Sequence, residues 1–440
     1  MPLRLVHVSD IHFRGYDGGW DLNQDQRNEL LRDVAEIVKC SGDIDGIVVG
    51  GDIAFQASPE EYRIADAWLS DLRNACGGLD TGRIWTVPGN HDVHRATISS
   101  SVTLQEFRSK IRDCELNLLD DMLNRCLAQD PAAESLSLPL KAYNEFAGQY
   151  TCSVTSHEPH WHDDTLECDG LRVHLIGINS VLISDQHDDD KDERSKLVLG
   201  LHQCQIPRQN DTLNITMMHH PPSWIRDWAN VEQYLRRSHV MLFGHEHAFA
   251  ARQQSDGVVE VFAGAVGPER RADDEHGAYV PTYNVLTLER RGQDTVSVCI
   301  EPRVWDEDNT CFVEHQDGRA LFTVSTANAT PKRASDDALD TDSQTTDVVQ
   351  ARSANPLDTP DSGHAPASRD PVPRTATELR RLGTEYMRLS WTDRVHIARN
   401  LQVLEDEDLQ LDAVQLFPLL LTRIRERGLI SKLEQELDRG

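Results

Sequence analysis

The chain has no run of about 18 apolar residues, the length an apolar helix needs to cross a bilayer, so no membrane contact is expected. Its opening, Met1-Pro2-Leu3-Arg4-Leu5-Val6, lacks the basic start and long apolar stretch of a signal peptide. A cytoplasmic location is the expectation. Cysteines are few and unpaired in pattern: there are nine, an odd number, with no C-x-x-C among them. That argues for reduced, buried thiols and against a disulfide framework or a zinc knuckle. Cations are in deficit, 44 Lys and Arg against 73 Asp and Glu, for a net charge of −29. A general grip on nucleic acid draws on clustered Lys and Arg that displace phosphate counterions, so nucleic acid is a disfavoured partner, although a local basic groove stays compatible with the average.

At 440 residues the chain exceeds one typical domain. Up to about Val324, short β-branched runs alternate with helical patterns, the signature of a layered α/β domain. The expected strands are Leu3–Val8, Gly46–Val49, Arg83–Val87, Leu171–Ile178, Leu213–Met218, Val240–Phe243, Val258–Ala263, Tyr283–Leu288 and Thr295–Ile300. Between the third and fourth, residues 96–150 space Leu, Ile, Phe and Met for helices, so an inserted helical cap is expected. The catalytic domain is placed at residues 1–325. Residues 326–375 hold six prolines and no aromatic residue; such a stretch buries too little apolar surface to offset its ordering entropy and reads as a disordered linker. Helical periodicity returns in residues 376–440, through Leu379, Leu382, Tyr386 and Leu389. Ser390-Trp391-Thr392-Asp393 is expected to cap one helix and Asp412 another, with Gly428 just past the latter's end. A small all-α domain follows from these signals.

Five short motifs occur in order, each just after an apolar strand run: Asp10-Ile11-His12, Gly51-Asp52, Gly89-Asn90-His91-Asp92, His219-His220-Pro221-Pro222 and Gly244-His245-Glu246-His247. Alone, each reads as an ordinary turn. Together they mark strand ends that meet on one edge of a sheet. Residues i and i+2 of an extended chain face the same way, which pairs Asp10 with His12 and His245 with His247. Gly51 and Gly89 are expected to supply unusual backbone angles and Gly244 a close approach, while Pro221 and Pro222 stop the strand and stiffen the loop of His219. Carboxylate, imidazole and one amide oxygen suit Mn, Fe, Zn or Ni, with manganese favoured, rather than the all-oxygen shell of calcium. His-Glu-His has the wrong spacing for the H-E-x-x-H zinc helix. His94 and His220 stand beside the motifs in packing or supporting roles, or against substrate. The run Asp188-Asp189-Asp190-Lys191-Asp192-Glu193 lacks the turn glycine of a calcium loop and reads as solvated.

The five blocks resemble the calcineurin-like metallophosphoesterases, a superfamily that includes purple acid phosphatases, cyclic-nucleotide phosphodiesterases, protein phosphatases and DNA-repair nucleases. The resemblance covers about residues 1–300, and no ligand position departs from the pattern. It implies a four-layer α-β-β-α sandwich holding two divalent metal ions, one by Asp10, His12, Asp52 and His247, the other by Asp52, Asn90, His219 and His245. Asp52 would bridge them. His91 would contact the phosphate or protonate the leaving group, with Asp92 placed to orient it. Two such ions about 3.5–4 Å apart can share a hydroxide, aim it in line at phosphorus and neutralise the developing charge. The expected substrate is therefore a phosphate ester, a phosphodiester or phosphomonoester. A metal-dependent nuclease and a non-catalytic scaffold are the alternatives.

The segments Leu389-Ser390-Trp391-Thr392-Asp393-Arg394-Val395-His396-Ile397-Ala398 and Arg425-Glu426-Arg427-Gly428-Leu429 loosely resemble bacterial effector-associated, death-fold-like adaptor domains. That resemblance implies a protein partner recruited through helix faces. A helical oligomerisation or stability appendage is the plainer reading.

Overall fold

Runs of valine, isoleucine and leucine too short for helices build the centre of the molecule, as in Gly46–Val49, where all four residues are buried. Strands covered on both faces read as continuous apolar runs. The computed structural model describes residues 2–15, 21, 23–129, 134–189, 196–268, 280–327, 381–383, 385–387, 389, 391–405, 408 and 413–437. Among them thirteen strands form two mixed sheets. The first holds β1 (Leu3–Val8), β2 (Gly46–Val49), β3 (Ile84–Thr86), β10 (Thr282–Gly292), β11 (Thr295–Asp306), β12 (Cys311–Glu314) and β13 (Ala320–Ser325), in the order β12-β11-β10-β1-β2-β3 with β13 also paired to β11. The second holds β4 (His160–Cys168), β5 (Leu171–Ile178), β6 (Thr212–Met218), β7 (Val240–Phe243), β8 (Ala250–Gln253) and β9 (Val259–Phe262), ordered β4-β5-β6-β7-β9-β8. β1, β2 and β3 run parallel, as do β5, β6, β7 and β9.

One buried apolar cluster joins both sheets, from Leu5 and Val48 to Ile215 and Leu242, and each such side chain removed from water contributes about 1.5–3 kcal/mol. The helices are α1 (Gln24–Ser41), α2 (Pro59–Ala75), α3 (Arg95–Ser99), α4 (Val102–Arg112), α5 (Leu116–Gln129), α6 (Glu134–Ser137), α7 (Lys141–Gly148), α8 (Leu201–Cys204) and α9 (Trp228–Leu235). Those from α3 to α7 are the helical insertion expected between β3 and the next strand. α2 shows how local sequence sets an end: Ser58 Oγ accepts from Glu61 N–H while the Glu61 carboxylate accepts from Ser58 N–H, with Pro59 next in line. α2 presents Tyr62, Ala65, Leu69 and Leu72 to the core.

Residues 328–375 of the expected linker, most of the acidic run 188–193, Leu379 and the capping residues Ser390 and Asp412 lie outside the described residues. The C-terminal helices are α10 (Trp391–Asn400), α11 (Ala413–Glu426) and α12 (Ile430–Leu437). Leu382, Tyr386, Phe417, Leu420, Ile424 and Leu433 form a buried cluster of their own. Gly428, at φ 67, ends α11 as expected: its N–H reaches Arg425 O and Leu429 N–H reaches Ile424 O, the paired bonds of a left-handed helix stop. α11 packs against α7, and a Cβ added to Gly148 would stand 3.3 Å from Met387 Cε.

Candidate metal centre

Every motif leaves the C-terminal end of a parallel strand: Asp10 and His12 follow β1, Asp52 follows β2, Asn90 and His91 follow β3, His219 follows β6, and His245 and His247 follow β7. The two sheets therefore deliver their strand ends to one place. The pairing of Asp10 with His12 and of His245 with His247 arises differently from the extended alternation expected. Their φ values are 53, 54, 72 and 54, and Asp52 stands at 50, all in the left-handed region. That region costs a non-glycine residue roughly 1–2 kcal/mol, and such strain collects at functional sites. Gly51 does adopt a positive φ of 99. Gly89 does not, at φ −106; its need is space, since a Cβ there would lie 2.1 Å from Asp52 Oδ1. A Cβ on Gly244 would lie 2.7 Å from Gly50 O, so the close approach expected of that glycine is real.

Asp52 lies at the middle. Its Oδ2 is 3.4 Å from His12 Nε2 and 3.2 Å from His219 Nε2, while its Oδ1 accepts from His91 N–H at 2.8 Å. His12 Nδ1 is held by Gly267 O at 3.0 Å and His219 Nδ1 by Gly50 O at 2.8 Å, so both rings turn Nε2 inward. A carbonyl on the far nitrogen fixes the tautomer of a metal-ligating histidine. On one side, His247 Nε2 stands 3.1 Å from Asp10 Oδ1. On the other, Asn90 Oδ1 lies 3.2 Å from His219 Nε2 and 3.1 Å from His245 Nδ1. The structure thus brings all seven expected ligands together.

The charges are strongly coupled. Burial would raise the Asp10 carboxyl, yet His247 and His219 hold it well below the usual carboxylate range. Asp52 is likewise depressed against burial by His219, His91 and His12. Burial opposes protonation of His12 and His219, but the Asp52 carboxylate prevails and pushes each up to about 9. His245, buried and facing the His219 charge, falls to about 3.

His91 and Asp92 depart from the expected arrangement. The carboxylate of Asp92 does not touch His91: it accepts from the N–H groups of Ile53, Ala54 and Gly89 and from the Tyr62 hydroxyl. Backbone donors on the neighbouring loops outcompete the ring, and His91 is oriented instead by Phe55 O, 2.9 Å from its Nδ1. Burial and the Asp52 charge raise Asp92 to about 6, with its hydrogen bonds opposing. A hollow of about 320 Å³ opens beside His91, lined also by Phe55, Gln56, Val93, His94, Arg95 and Ala96. His94 joins that lining, with Nδ1 2.7 Å from Thr97 Oγ1. His220 is buried behind the ligands, Nδ1 3.0 Å from Ser180 Oγ and ring 4.5 Å from that of His245. Trp224, which no motif singled out, sets its ring edge-on against His245 at 4.2 Å. The tryptophan in His-Pro-Pro-Ser-Trp was the available signal.

A model of the calcineurin-like phosphoesterases matches residues 3–249. The chain belongs to that family. This calcineurin-like chain is similar to the uncharacterized metallophosphoesterase-like protein YydB of Bacillus subtilis, 21% identical over 362 residues that span 78% of this chain and 70% of that protein. Among solved structures, a dimetal phosphatase from Danio rerio is 11% identical, with a TM-score of 0.39, over 73% of this chain and 99% of that one. A purple acid phosphatase from yellow lupin seeds is 11% identical, with a TM-score of 0.38, over 74% and 54% of the two chains. The family match ends before the C-terminal helices, so their likeness to death-fold adaptors finds no support there. Among the described residues no helix is long and apolar enough to cross a membrane.

The donors present in this calcineurin-like site fit divalent cations. Asp10 Oδ1 is buried and faces His247 Nε2 at 3.1 Å. His219 Nε2, whose ring gives its other nitrogen to a carbonyl, faces Asp52 Oδ2, Asn90 Oδ1 and His245 Nδ1, the last at 3.3 Å. Once the ring gives up its proton, these converging oxygen and nitrogen atoms form a buried cage of the donor types that divalent cations take. The ligand atoms of Asp10, His12 and His247 lie within 4.8 Å of one another, as do those of Asp10, Asp52 and His219.

Proposed function

We propose that this protein is a two-metal phosphoester hydrolase acting on a phosphodiester or phosphomonoester, with manganese as its metal. The observation that carries the reading is Asp52 Oδ2, standing within 3.4 Å of both His12 Nε2 and His219 Nε2. One carboxylate oxygen shared by two donor groups is what a bridging ligand requires. Asp10, His12, Asp52 and His247 would hold one ion; Asp52, Asn90, His219 and His245 would hold the other. When bound, the pair supplies Lewis-acid polarisation of the phosphoryl group and a water acidic enough to attack at neutral pH.

The chain's own residues supply the rest. His91 sits between the donors and the hollow, with its ring 4.7 Å from that of His12, so the hollow is placed to take the leaving alcohol. With Phe55 O holding Nδ1, Nε2 is the nitrogen of His91 left to pass a proton to the departing oxygen. Trp224 and His220 cover His245 and limit water at that ligand. A net charge of −29 does not repel a phosphate here, because nearby divalent charge outweighs distant, screened carboxylates.

The test is a panel of bis-p-nitrophenyl phosphate, p-nitrophenyl phosphate, cyclic nucleotides and single-stranded DNA, offered to the manganese-loaded full chain. Turnover of at least one ester, abolished by chelation, is expected. Activity confined to the DNA would favour the nuclease instead, and none on any ester would favour the scaffold. For the C-terminal helices we propose a recruiting role, supported by their separate buried cluster and tested by comparing protein capture by the full and truncated chains.

A further inference from the structure

We infer that Tyr62 is a positioning residue of the metal centre: through Asp92 its phenol sets the spacing between the loop of Asp52 and the loop of Asn90 and His91. The inference rests on the two-metal reading above. Asp92 is fully buried and its carboxylate is closed on four donors. Oδ1 accepts from Ala54 N–H at 3.0 Å and from the Tyr62 hydroxyl at 2.8 Å; Oδ2 accepts from Ile53 N–H at 3.2 Å and Gly89 N–H at 2.9 Å. Ile53 and Ala54 follow Asp52 directly, and Gly89 precedes Asn90. A single side chain thus straps together the loops that leave the adjacent strands β2 and β3.

Three of the four donors are backbone groups of the loops being strapped; the fourth comes from outside. Tyr62 belongs to α2, and its ring is wedged against α7, stacked on Phe146 at 5.1 Å and edge-on to Tyr143 at 6.4 Å. Packing alone would be met by phenylalanine, because among the described residues the hydroxyl has no partner besides Asp92. That one hydrogen bond ties the strap to a rigid helix layer. Without it Asp92 can follow the loops, and Asp52 and Asn90 are free to drift relative to each other. Both would ligate the same ion, so drift appears as weaker binding.

Tyr143 provides a matched comparison. It is also buried, and its hydroxyl makes one hydrogen bond, with Thr86 Oγ1 at 2.9 Å on β3 itself, and none to Asp92 among the described residues. Tyr62→Phe and Tyr143→Phe each lose one buried hydrogen bond, so a purely structural role predicts equal effects. The experiment strips metal from the full-length variants and follows manganese binding by calorimetry, the two-manganese state by electron paramagnetic resonance, and melting temperature. The expected result is a similar small loss of melting temperature in both. Only Tyr62→Phe should bind manganese about 10–100-fold more weakly, the usual effect of losing a group that orients a ligand, with an altered spin-coupled spectrum. Asp92→Asn, which turns an acceptor into a donor facing backbone N–H groups, should show the same selective loss and decides the matter if Tyr62→Phe does not fold. Wild-type affinity and spectrum in the Tyr62 and Asp92 variants overturn this inference alone. A wild-type chain that takes up fewer than two manganese ions overturns the metal reading and this inference with it.

Discussion

Replacing Asp52 by asparagine removes one charge and little else. The left-handed backbone at φ 50 suits asparagine as well as aspartate, and Oδ1 can still accept from His91 N–H. What is lost is the carboxylate that would lie between two divalent ions, four positive charges in all. At about 4 Å and an effective dielectric near 20, each unit pair is worth about 4 kcal/mol, so the gross loss is roughly 16 kcal/mol. An opposing gain must be subtracted. In the metal-free protein the same carboxylate raises His12 and His219 to about 9, so at neutral pH each must shed a proton before binding metal. Two units per histidine at about 1.4 kcal/mol each come to roughly 6 kcal/mol, a cost the variant escapes. The attraction wins by about 10 kcal/mol, or more than three decades of affinity for each ion. Wild-type affinity should also weaken as pH falls below about 9, as protons compete for His12 and His219, whereas the variant should show a flatter profile. Calorimetry with elemental analysis after dialysis checks both, alongside a circular dichroism spectrum expected to be unchanged. Asp52→Asn that retains two manganese ions within tenfold of wild-type affinity would refute the reasoning.

Further outcomes follow from other parts of the molecule. His91→Asn should keep two metals and lose about 10²–10⁴-fold in turnover of esters with poor leaving groups, with a smaller loss on p-nitrophenyl esters; equal losses on both would remove the proton-donor role. His7 is fully buried with neither ring nitrogen hydrogen-bonded among the described residues, and burial, against the pull of Asp10, drops it to about 4. Its unfolded form takes a proton first, so it contributes no penalty above about pH 6.5 and costs stability as pH falls toward 4, on the order of 3 kcal/mol by that point. Urea midpoints at pH 7.5, 6 and 5 should fall more steeply for wild type than for His7→Asn, and parallel slopes would contradict this. A chain ending at Ala327 should still bind two metals but melt a few degrees lower, because α7 loses its cover by α11; an unchanged melting temperature would mean the C-terminal helices add nothing to that face.

The buried parallel strands were legible because, Arg4 and His7 of β1 apart, their residues are apolar: β1, β2 and β7 stand where their apolar runs predict. The strands left unread are β4, β8, β12 and β13, each at a sheet margin. β4 alternates buried and exposed residues and carries an irregularity between Asp163 and Leu166, while β8 is largely exposed. An edge strand that keeps charges outward has no continuous apolar signature. The candidate ligands stood out because carboxylates and imidazoles at strand ends have few structural reasons to cluster. Their orienting groups were not. Gly50 O, Phe55 O and Gly267 O hold three imidazoles, and a carbonyl carries no residue identity. Asp92 was read as the partner of its neighbour in sequence, yet it serves backbone groups about 40 residues away. Left-handed φ values at five ligands were equally invisible, since histidine seldom announces that conformation.

In the proposed function, seven side chains from five strand ends hold two metal ions that hydrolyse a phosphate ester. Its most direct test is a titration of the chelator-stripped full chain with manganese while bis-p-nitrophenyl phosphate hydrolysis is followed. No turnover is expected without metal, followed by a rise that levels off at two ions per chain. Hydrolysis that survives complete metal removal, or a protein holding two ions that leaves every phosphate ester intact, would contradict it.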